Sequence, residues 1–472
     1  MTSSPPESPL AAYAQWLATA ERAWPAEASH LAKRSLIDTV ACMVPGAFDS
    51  APSKLWPVVS SWGEGPCRTV AHRESLPPPA AALYNGTAAH ALDYDDNFDP
   101  AKAHASAGLV PALLTMGDLT DASIRDLLDG YIVGLQILGL VGQGVNPFHR
   151  NRGWHATGTL GAIGAAAACA RMAGLSEEQA AHALSMATSL GGGFMSQFGS
   201  DTKPIHAGLA ASGGVQAALF AQAGVTAGAD ALHGPTGLRT LTVGSNVEEL
   251  AQSMAGKSEH GQTMQFRTRD VGEPLHILEY GLKVKRYPNC GSLHRSLDGL
   301  LELIDEHDIK ADDVDHVLVR APASHLRNLM YEDPQTPAQA KFSLEYSMAA
   351  ALAGGQVTLA DYEAEAIKRP EVRSLMNGIQ KEYVERLESE FPTEVHVALT
   401  SGECLSTSVK MPVGSKSRPL SDEQLWAKLE GCLAATPAFT NGDALLQALR
   451  DLDEDLPVRH LTAAMQAGET PG

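Results

Sequence analysis

Along the first 250 residues, apolar positions recur at the spacing of α-helices that bury one face. Ala32, Leu36 and Val40, for example, follow one another every four residues. Alanine and glycine dominate Ala207–Ala221, and such small residues allow helix backbones to approach closely. The pattern predicts a series of packed helices from about residue 10 to residue 250.

Capping patterns mark where several of these helices begin. Ser176 is followed three residues later by Gln179, and Ser421 by Gln424, which is the spacing of a capping box. Ser123 opens a similar segment. The sequence therefore predicts helices that begin directly after each of these serines.

The longest apolar stretch is Tyr131–Val145. Gln136 and Gln143 interrupt it, and it is shorter than the roughly 20 residues that a membrane-spanning helix needs. We expect a buried helix and no membrane association.

The pattern changes after about residue 267, where short β-branched runs alternate with helical segments. The predicted strands are 316–320, 395–399 and 405–409, and the predicted helices are 342–352 and 371–384. Beyond a linker rich in Gly, Pro and Ser, the chain returns to helix until about residue 467. These changes predict a mainly α protein with a first helical part at 1–266, an α+β domain at 267–410 and a helical return at 411–472.

Charge and cysteine usage restrict the function. The 472 residues carry a formal charge of −20, which repels nucleic acid phosphates and anionic lipid surfaces. The six cysteines are scattered without a C-x-x-C pair, and the N-terminus lacks the pattern of a signal peptide, so we expect a cytoplasmic protein with free thiols. Because G-x-G-x-x-G does not follow a strand, no dinucleotide cofactor is expected.

Candidate chemistry is densest between residues 84 and 106. On a helix, His90 and Asp93 would lie one turn apart, with residues 95–97 near the helix end and His104 on the following loop. A carboxylate beside an imidazole orients it for proton transfer near neutral pH. The plain alternative is a solvated acidic helix end. The spacing matches no standard metal motif such as H-E-x-x-H, so we expect no metal.

Three further segments combine glycine-containing turns with a basic residue. They contain His155, then Lys203 with His206, and then Lys285 with His294. Each segment alone is a weak signal, since most such residues are merely solvated. Together, lysines and helix N-termini can bind a di- or tricarboxylate.

With these motifs the sequence resembles the MmgE/PrpD family over nearly its whole length. The resemblance rests on Asn85–His90, Asp93–Asp96, His104–Ser106 with Pro111, Gly153–His155, Thr202–Gly208, Lys285–Pro288 with His294, and Phe342–Tyr346. The family includes 2-methylcitrate dehydratases, cis-aconitate decarboxylases and iminodisuccinate epimerases. Membership implies a large all-helical domain built from both chain ends, an inserted smaller α+β lid domain, and commonly a homodimer.

The resemblance also implies roles for individual residues. Active-site residues of the decarboxylase members fall at Asp93, His104, His155, Lys203, Lys285 and Tyr346. We expect catalysis from His104, Asp93, Tyr346 and Lys203, and substrate binding by His155, Lys285, Asn97 and His294. Two positions depart from the decarboxylase pattern, since Asn97 replaces Thr and Ala105 replaces the Pro of many relatives. A long spacer typical of 2-methylcitrate dehydratases is missing.

The resulting hypothesis is a cofactor-free lyase acting on a small polycarboxylate through a carbanion stabilised by a neighbouring carboxylate. Decarboxylation of the cis-aconitate type and dehydration of the 2-methylcitrate type are the first candidates. An epimerase of the iminodisuccinate type and a non-catalytic carboxylate-binding protein are the alternatives.

Overall fold

The computed structural model describes residues 8–254, 259–388 and 390–468. The α-helices are α1 Pro9–Thr19, α2 Ala26–Gly46, α3 Ser50–Val59, α4 Pro78–His90, α5 Ala105–Thr120, α6 Ile124–Val145, α7 Phe148–Asn151, α8 Ala156–Thr159, α9 Gly161–Met172, α10 Glu177–Leu190, α11 Thr202–Gln222, α12 Leu238–Val243, α13 Val247–Ser253, α14 His276–Glu279, α15 His294–His307, α16 Ala323–Leu326, α17 Pro337–Ala340, α18 Leu344–Gly354, α19 Pro370–Met376, α20 Asp422–Ala434, α21 Gly442–Arg450 and α22 Val458–Met465. The strands are β1 Cys67–Arg68, β2 Ser75–Leu76, β3 Val314–Pro322, β4 Ile379–Val384, β5 Thr393–Leu399 and β6 Cys404–Val409.

The described chain forms two compact units. The first comprises residues of 1–197, 201–282 and 425–472, and the second those of 198–200 and 283–424. The sequence predicts the corresponding domain boundaries at residues 267 and 411. The fold is mainly α, as predicted, and the second unit contains a four-stranded mixed sheet. The expectation that the first part is all-helical is wrong, because β1 and β2 pair antiparallel within the first unit.

Glycine contacts hold α4 against α11 in the first unit. A Cβ atom on Gly86 would lie 2.8 Å from the Cα of Gly208, and one on Gly208 would lie 2.2 Å from the carbonyl oxygen of Leu83. Only glycine permits so close an approach at these two positions. Because His90 ends α4 and Lys203 lies in the first turn of α11, this contact brings the two side chains toward the same region.

The predicted capping boxes begin helices of the first unit. Ser123 and Asp126 form a reciprocal capping box on α6, and Ser176 and Gln179 form one on α10. The apolar stretch 131–145 lies in α6 and is buried, as expected. Within the described residues, no helix is both long and apolar enough to cross a membrane.

The second unit is organised around a four-stranded sheet in the order β4-β3-β5-β6. Strand β3 pairs in parallel with β4 and antiparallel with β5, and β5 pairs antiparallel with β6. Val317 and Val319 of β3 and Val395 and Val397 of β5 are fully buried at alternate positions. Helix α15 packs on this face, since a Cβ on Gly299 would lie 2.9 Å from the side chain of Val395. The three predicted strands are therefore confirmed.

The expectation of one helix over 371–384 is wrong. Helix α19 ends at Met376, and the chain continues as β4 from Ile379. Gly378 separates the two elements, and Ile379 then pairs beside Val317 in the sheet. Pairing with a strand about 60 residues away thus overrides the local helical tendency.

Candidate active site

The candidate site of the first unit is assembled from helix ends. Helix α4 ends at His90, His104 directly precedes α5, His155 directly precedes α8, and Lys203 lies in the first turn of α11. The expected placement of Asp93 one helical turn beyond His90 is wrong, because the helix has ended and Asp93 has φ 52°, in the left-handed region. Aspartate tolerates that conformation better than most residues.

Asp95 lies between two imidazoles. His90 donates from Nδ1 to the Asp95 carboxylate at 2.9 and 3.0 Å, and the Nδ1 of His104 lies 3.1 Å from Asp95 Oδ2. The side chains of His90 and Asp95 are fully buried, whereas that of His104 is 14% exposed. The imidazole of His104 is therefore the one that a dissolved molecule can reach, and Asp95 fixes its orientation from the buried side.

Asp93 stands between His104 and a lysine. Lys203 Nζ donates to Asp93 Oδ2 at 2.9 Å, and Asp93 Oδ1 lies 3.6 Å from His104 Nε2. The side chains of Lys203 and Asp93 are 5% and 4% exposed. The His104 ring thus has one carboxylate near each nitrogen, with the lysine ammonium beyond Asp93.

The backbone of His104 is held by two neighbouring elements. Its amide donates to Thr157 Oγ1 of α8 at 3.0 Å. Asp96 caps α5 from upstream, because its carboxylate accepts from the Ser106 amide at 3.2 Å and from the Ser106 hydroxyl. That hydroxyl also lies 2.7 Å from the phenol oxygen of Tyr131. Asp96, rather than the imidazole, serves as the helix cap, so the His104 ring can turn toward Asp93 and Asp95.

His155 is paired with a second histidine. Its Nδ1 lies 2.9 Å from the Nδ1 of His206, and its ring lies 5.7 Å from that of His90. The His155 amide donates to the carbonyl of Gly193 at 3.0 Å. Since one Nδ1 must donate and the other accept, the two imidazoles constrain each other's tautomers.

Burial keeps most of these imidazoles neutral. It lowers the pKa of His90 to about 3, against the opposing influence of Asp95, and lowers that of His206 to about 4. Burial, followed by the nearby His90 and Lys203, lowers the pKa of His155 well below its usual range. Burial alone would raise the pKa of Asp95, but its contacts with His90 and His104 hold it well below the usual range.

Asp96 behaves differently from Asp95. Burial raises its pKa to about 7, although its hydrogen bond from Ser106 opposes that shift. The two neighbouring carboxyl groups therefore separate into an ionised Asp95 and an Asp96 that retains its proton up to about neutral pH.

Three of the predicted site residues lie in the second unit, namely Lys285, His294 and Tyr346. Lys285 and His294 are buried, and the His294 ring packs edge-on against Tyr287. Tyr346 is fully buried in the apolar core of that unit, and its hydroxyl donates to the Asp361 carbonyl.

Asn97, in the first unit, is partly buried two residues beyond Asp95. Its predicted contact with substrate stays a prediction.

His90, Asp95 and His104 could also hold a metal ion. Each offers one ligand atom, and these atoms all lie within 4.8 Å of one another. Two imidazoles and a carboxylate are suitable ligands for Zn²⁺. A bound metal would occupy a nitrogen of His104 and the carboxylate that orients it, so metal binding and a proton-transfer role for this triad compete.

Three members of the cluster lie in the candidate segments but were assigned no catalytic or substrate-binding role, namely His90, Asp95 and His206. For His206 a signal exists, because it follows Lys203 by three residues and both therefore share one face of α11. The contacts of Asp95 depend on how the chain turns after α4, and no sequence spacing encodes that turn.

The helical unit with this imidazole, carboxylate and lysine cluster belongs to a known class. The model of the MmgE/PrpD N-terminal domain matches residues 10–250, and that of the MmgE/PrpD C-terminal domain matches residues 287–453. The chain therefore belongs to the MmgE/PrpD family, as its motifs indicated.

Similar curated proteins are decarboxylases by name. The chain is 26% identical over 423 residues to the human cis-aconitate decarboxylase, and the aligned region covers 87% of this chain and 82% of that protein. It is 26% identical over 435 residues to a cis-aconitate decarboxylase-like protein of Aspergillus oryzae, covering 86% of each chain. It is 24% identical over 431 residues to the cis-aconitate decarboxylase of Aspergillus terreus, covering 86% and 84% respectively.

Proposed function

We propose that the protein is a lyase that releases carbon dioxide from a small unsaturated tricarboxylate, in the manner of its cis-aconitate decarboxylase relatives. Family membership and the names of these relatives support a decarboxylase-like activity at this level. Dehydration of a hydroxylated tricarboxylate such as 2-methylcitrate is the second lyase reaction that the same chemistry permits.

The observation that carries this proposal is that Asp93 contacts Lys203 with one carboxylate oxygen and lies near His104 with the other. The lysine lies 2.9 Å from one oxygen of Asp93, and His104 lies 3.6 Å from the other. A lysine can stabilise the negative charge of a carboxylate substrate, while an adjacent imidazole supplies a proton. Both groups are held within one unit by buried helix ends.

The reaction needs one bond broken and one proton delivered. A carboxylate on the carbon next to a double bond leaves as carbon dioxide, and the electron pair of the broken C–C bond spreads through the double bond to a second, conjugated carboxylate. A proton then joins the distal alkene carbon and the double bond shifts. Fixed positive charge near the conjugated carboxylate stabilises this intermediate, because negative charge accumulates there.

We assign the proton delivery to His104. Asp95 orients the ring at Nδ1 from the buried side, which leaves Nε2 directed toward Asp93 and the partly exposed face. Asp93 lies near Nε2, and Lys203 provides positive charge beyond Asp93.

The remaining predicted site residues have proposed roles in binding the substrate. His155, whose tautomer is constrained by His206, is a proposed hydrogen-bond donor to a substrate carboxylate. Lys285 and His294 are proposed carboxylate-binding residues, and Asn97 a proposed hydrogen-bonding residue. A direct role for Tyr346 requires its hydroxyl to exchange the bond to the Asp361 carbonyl for one to substrate.

NMR in deuterated water, with cis-aconitate, 2-methylcitrate and iminodisuccinate as separate substrates, tests the proposal. The proposal predicts that cis-aconitate loses a carboxyl group and that the product contains solvent deuterium on carbon. Loss of water from 2-methylcitrate instead would identify a dehydratase. Deuterium entering iminodisuccinate without a change of skeleton would identify an epimerase. Binding of the acids without turnover would leave a carboxylate-binding protein.

A further inference from the structure

A lysine from the C-terminal part of the first unit contacts the loop of the candidate site. Lys428 of α20 lies 2.6 Å from Asp38 Oδ1 of α2 and donates to the Tyr94 carbonyl at 2.8 Å. Its ammonium also lies 3.8 Å from the centre of the Tyr94 ring. The side chains of Lys428 and Asp38 are 3% and 0% exposed. One buried cation thus joins two helices to the residue between Asp93 and Asp95.

These contacts differ from those of an ordinary ion pair. A buried ammonium needs several polar partners, and here one of them is a backbone carbonyl of the loop itself. The ring of the same residue provides a cation–π contact. Both the backbone and the side chain of Tyr94 are therefore fixed to Lys428, and the carboxylates on either side of Tyr94 point at His104.

We propose that Lys428 is a positioning residue that sets the geometry of Asp93 and Asp95 around His104 by anchoring Tyr94. Its effect on turnover rests on the proposed function, whereas its effect on the loop does not. Displacing reacting groups by about 1 Å can cost on the order of 10²-fold in rate, so loss of the anchor should lower kcat without removing any group that touches substrate.

The test variant is Lys428→Met combined with Asp38→Asn, so that no unpaired charge remains buried. The matched control is Arg171→Met with Asp129→Asn, because Arg171 and Asp129 form another buried ion pair of the same unit at 2.7 Å. Arg171 also donates to the carbonyls of Leu17 and Ala20, which lie outside the loop 91–104. Both pairs are buried in the first unit, and the first one contacts Tyr94.

Hydrogen exchange of peptides covering residues 91–104 is the primary measurement. In the variant with Lys428→Met and Asp38→Asn, we expect the exchange rate of this loop to rise by roughly 10-fold or more. In the control variant, the exchange rate of the loop should stay near that of the wild type. If substrate is turned over, kcat should fall by about 10-fold or more with KM changed much less. Unchanged exchange in the loop, or an equal rise in the control, overturns the proposal.

A milder variant covers the case in which the double variant does not fold. Tyr94→Leu removes the ring contact and leaves the Asp38–Lys428 pair, so it should raise loop exchange in the same direction by a smaller factor. Loop exchange at the wild-type rate in Tyr94→Leu then overturns the proposal. Altered loop exchange in a protein that turns over none of the acids would support the anchor and contradict only the proposed function.

Discussion

Lys203 and Asp93 are 110 residues apart in sequence, yet the lysine ammonium donates to the Asp93 carboxylate at 2.9 Å inside the first unit. The other oxygen of that carboxylate faces His104. Asp93 therefore lies between the lysine ammonium and the His104 imidazole. In the proposed reaction, a substrate carboxylate would compete with Asp93 for the same lysine.

Replacing His104 by alanine should lower turnover by roughly 10²-fold or more, the usual scale for a lost acid–base group. Folding should survive, because the side chain precedes a helix that Asp96 caps. Asp93→Asn should act in the same direction but less severely. Steady-state rates over a range of pH, with circular dichroism as a folding check, measure both effects.

A suitable control is His316→Ala, since His316 is 39% exposed on β3 of the second unit and contacts Asp315. Its rate and pH profile should match the wild type. Near-full turnover of His104→Ala with an unaltered pH profile would transfer the proton step to another group, with Lys203 and Tyr346 as the next candidates.

Lys203 and Lys285 should each contribute to binding of a carboxylate ligand. Lys203→Met and Lys285→Met are each expected to weaken binding of a tricarboxylate inhibitor, because each removes positive charge from a protein whose formal charge is −20. Calorimetric titration of the wild type and of the two variants measures these losses. Unchanged binding in either variant would show that the replaced lysine does not bind the ligand.

Chelation should leave activity intact, whereas added Zn²⁺ should inhibit. The proposed proton transfer uses His104 with its nitrogens free of metal, and His90, Asp95 and His104 are close enough to capture a zinc ion. Turnover is measured after exhaustive dialysis against EDTA and again with increasing Zn²⁺. Loss of activity on chelation and its return with a divalent ion would show instead that the cluster is a catalytic metal centre.

Asp96 should make the folded state less stable as pH rises through the weakly acidic range. Its pKa is about 7 in the folded protein, compared with the ordinary value of 3.8. Between these values the unfolded chain releases a proton that the folded protein retains, so the stability contributed by this group is present below about pH 4 and lost as pH approaches and passes 7. Buried histidines such as His90, whose folded pKa is lowered, act in the opposite direction.

The Asp96→Asn variant isolates this contribution, because an amide can still accept from the Ser106 amide but cannot ionise. The free energy of unfolding of the variant, relative to the wild type, should increase from pH 4.5 to pH 7. Urea denaturation at several pH values measures this difference. A difference that is constant with pH would show that Asp96 is ionised throughout in the folded protein.

Sequence reasoning succeeded where the signal is local. The capping boxes at Ser123 and Ser176 use atoms three residues apart, and β3 and β5 show their alternation within a few residues. It failed over residues 371–384, because β4 becomes a strand only by pairing with β3.

The composition of the site was more predictable than its geometry. The motifs indicated His104, Asp93, His155 and Lys203 as candidate site residues, and all four lie in the first unit. The turn at Asp93, with its positive φ, determines that Asp95 faces both His90 and His104. In the same loop, Asp96 contacts Ser106 of α5 and Tyr94 contacts Lys428 of α20, and residue spacing does not encode these contacts.

The most direct test of the account is the fate of cis-aconitate with EDTA-treated protein in deuterated water, followed by ¹³C and ¹H NMR. A carbanion formed by loss of carbon dioxide and quenched by a solvent-derived proton predicts equal amounts of released carbon dioxide and of a dicarboxylate with one deuterium on carbon. The metal-free protein should sustain this over many turnovers. Cis-aconitate that stays intact, or a product without solvent deuterium on carbon, would contradict the account.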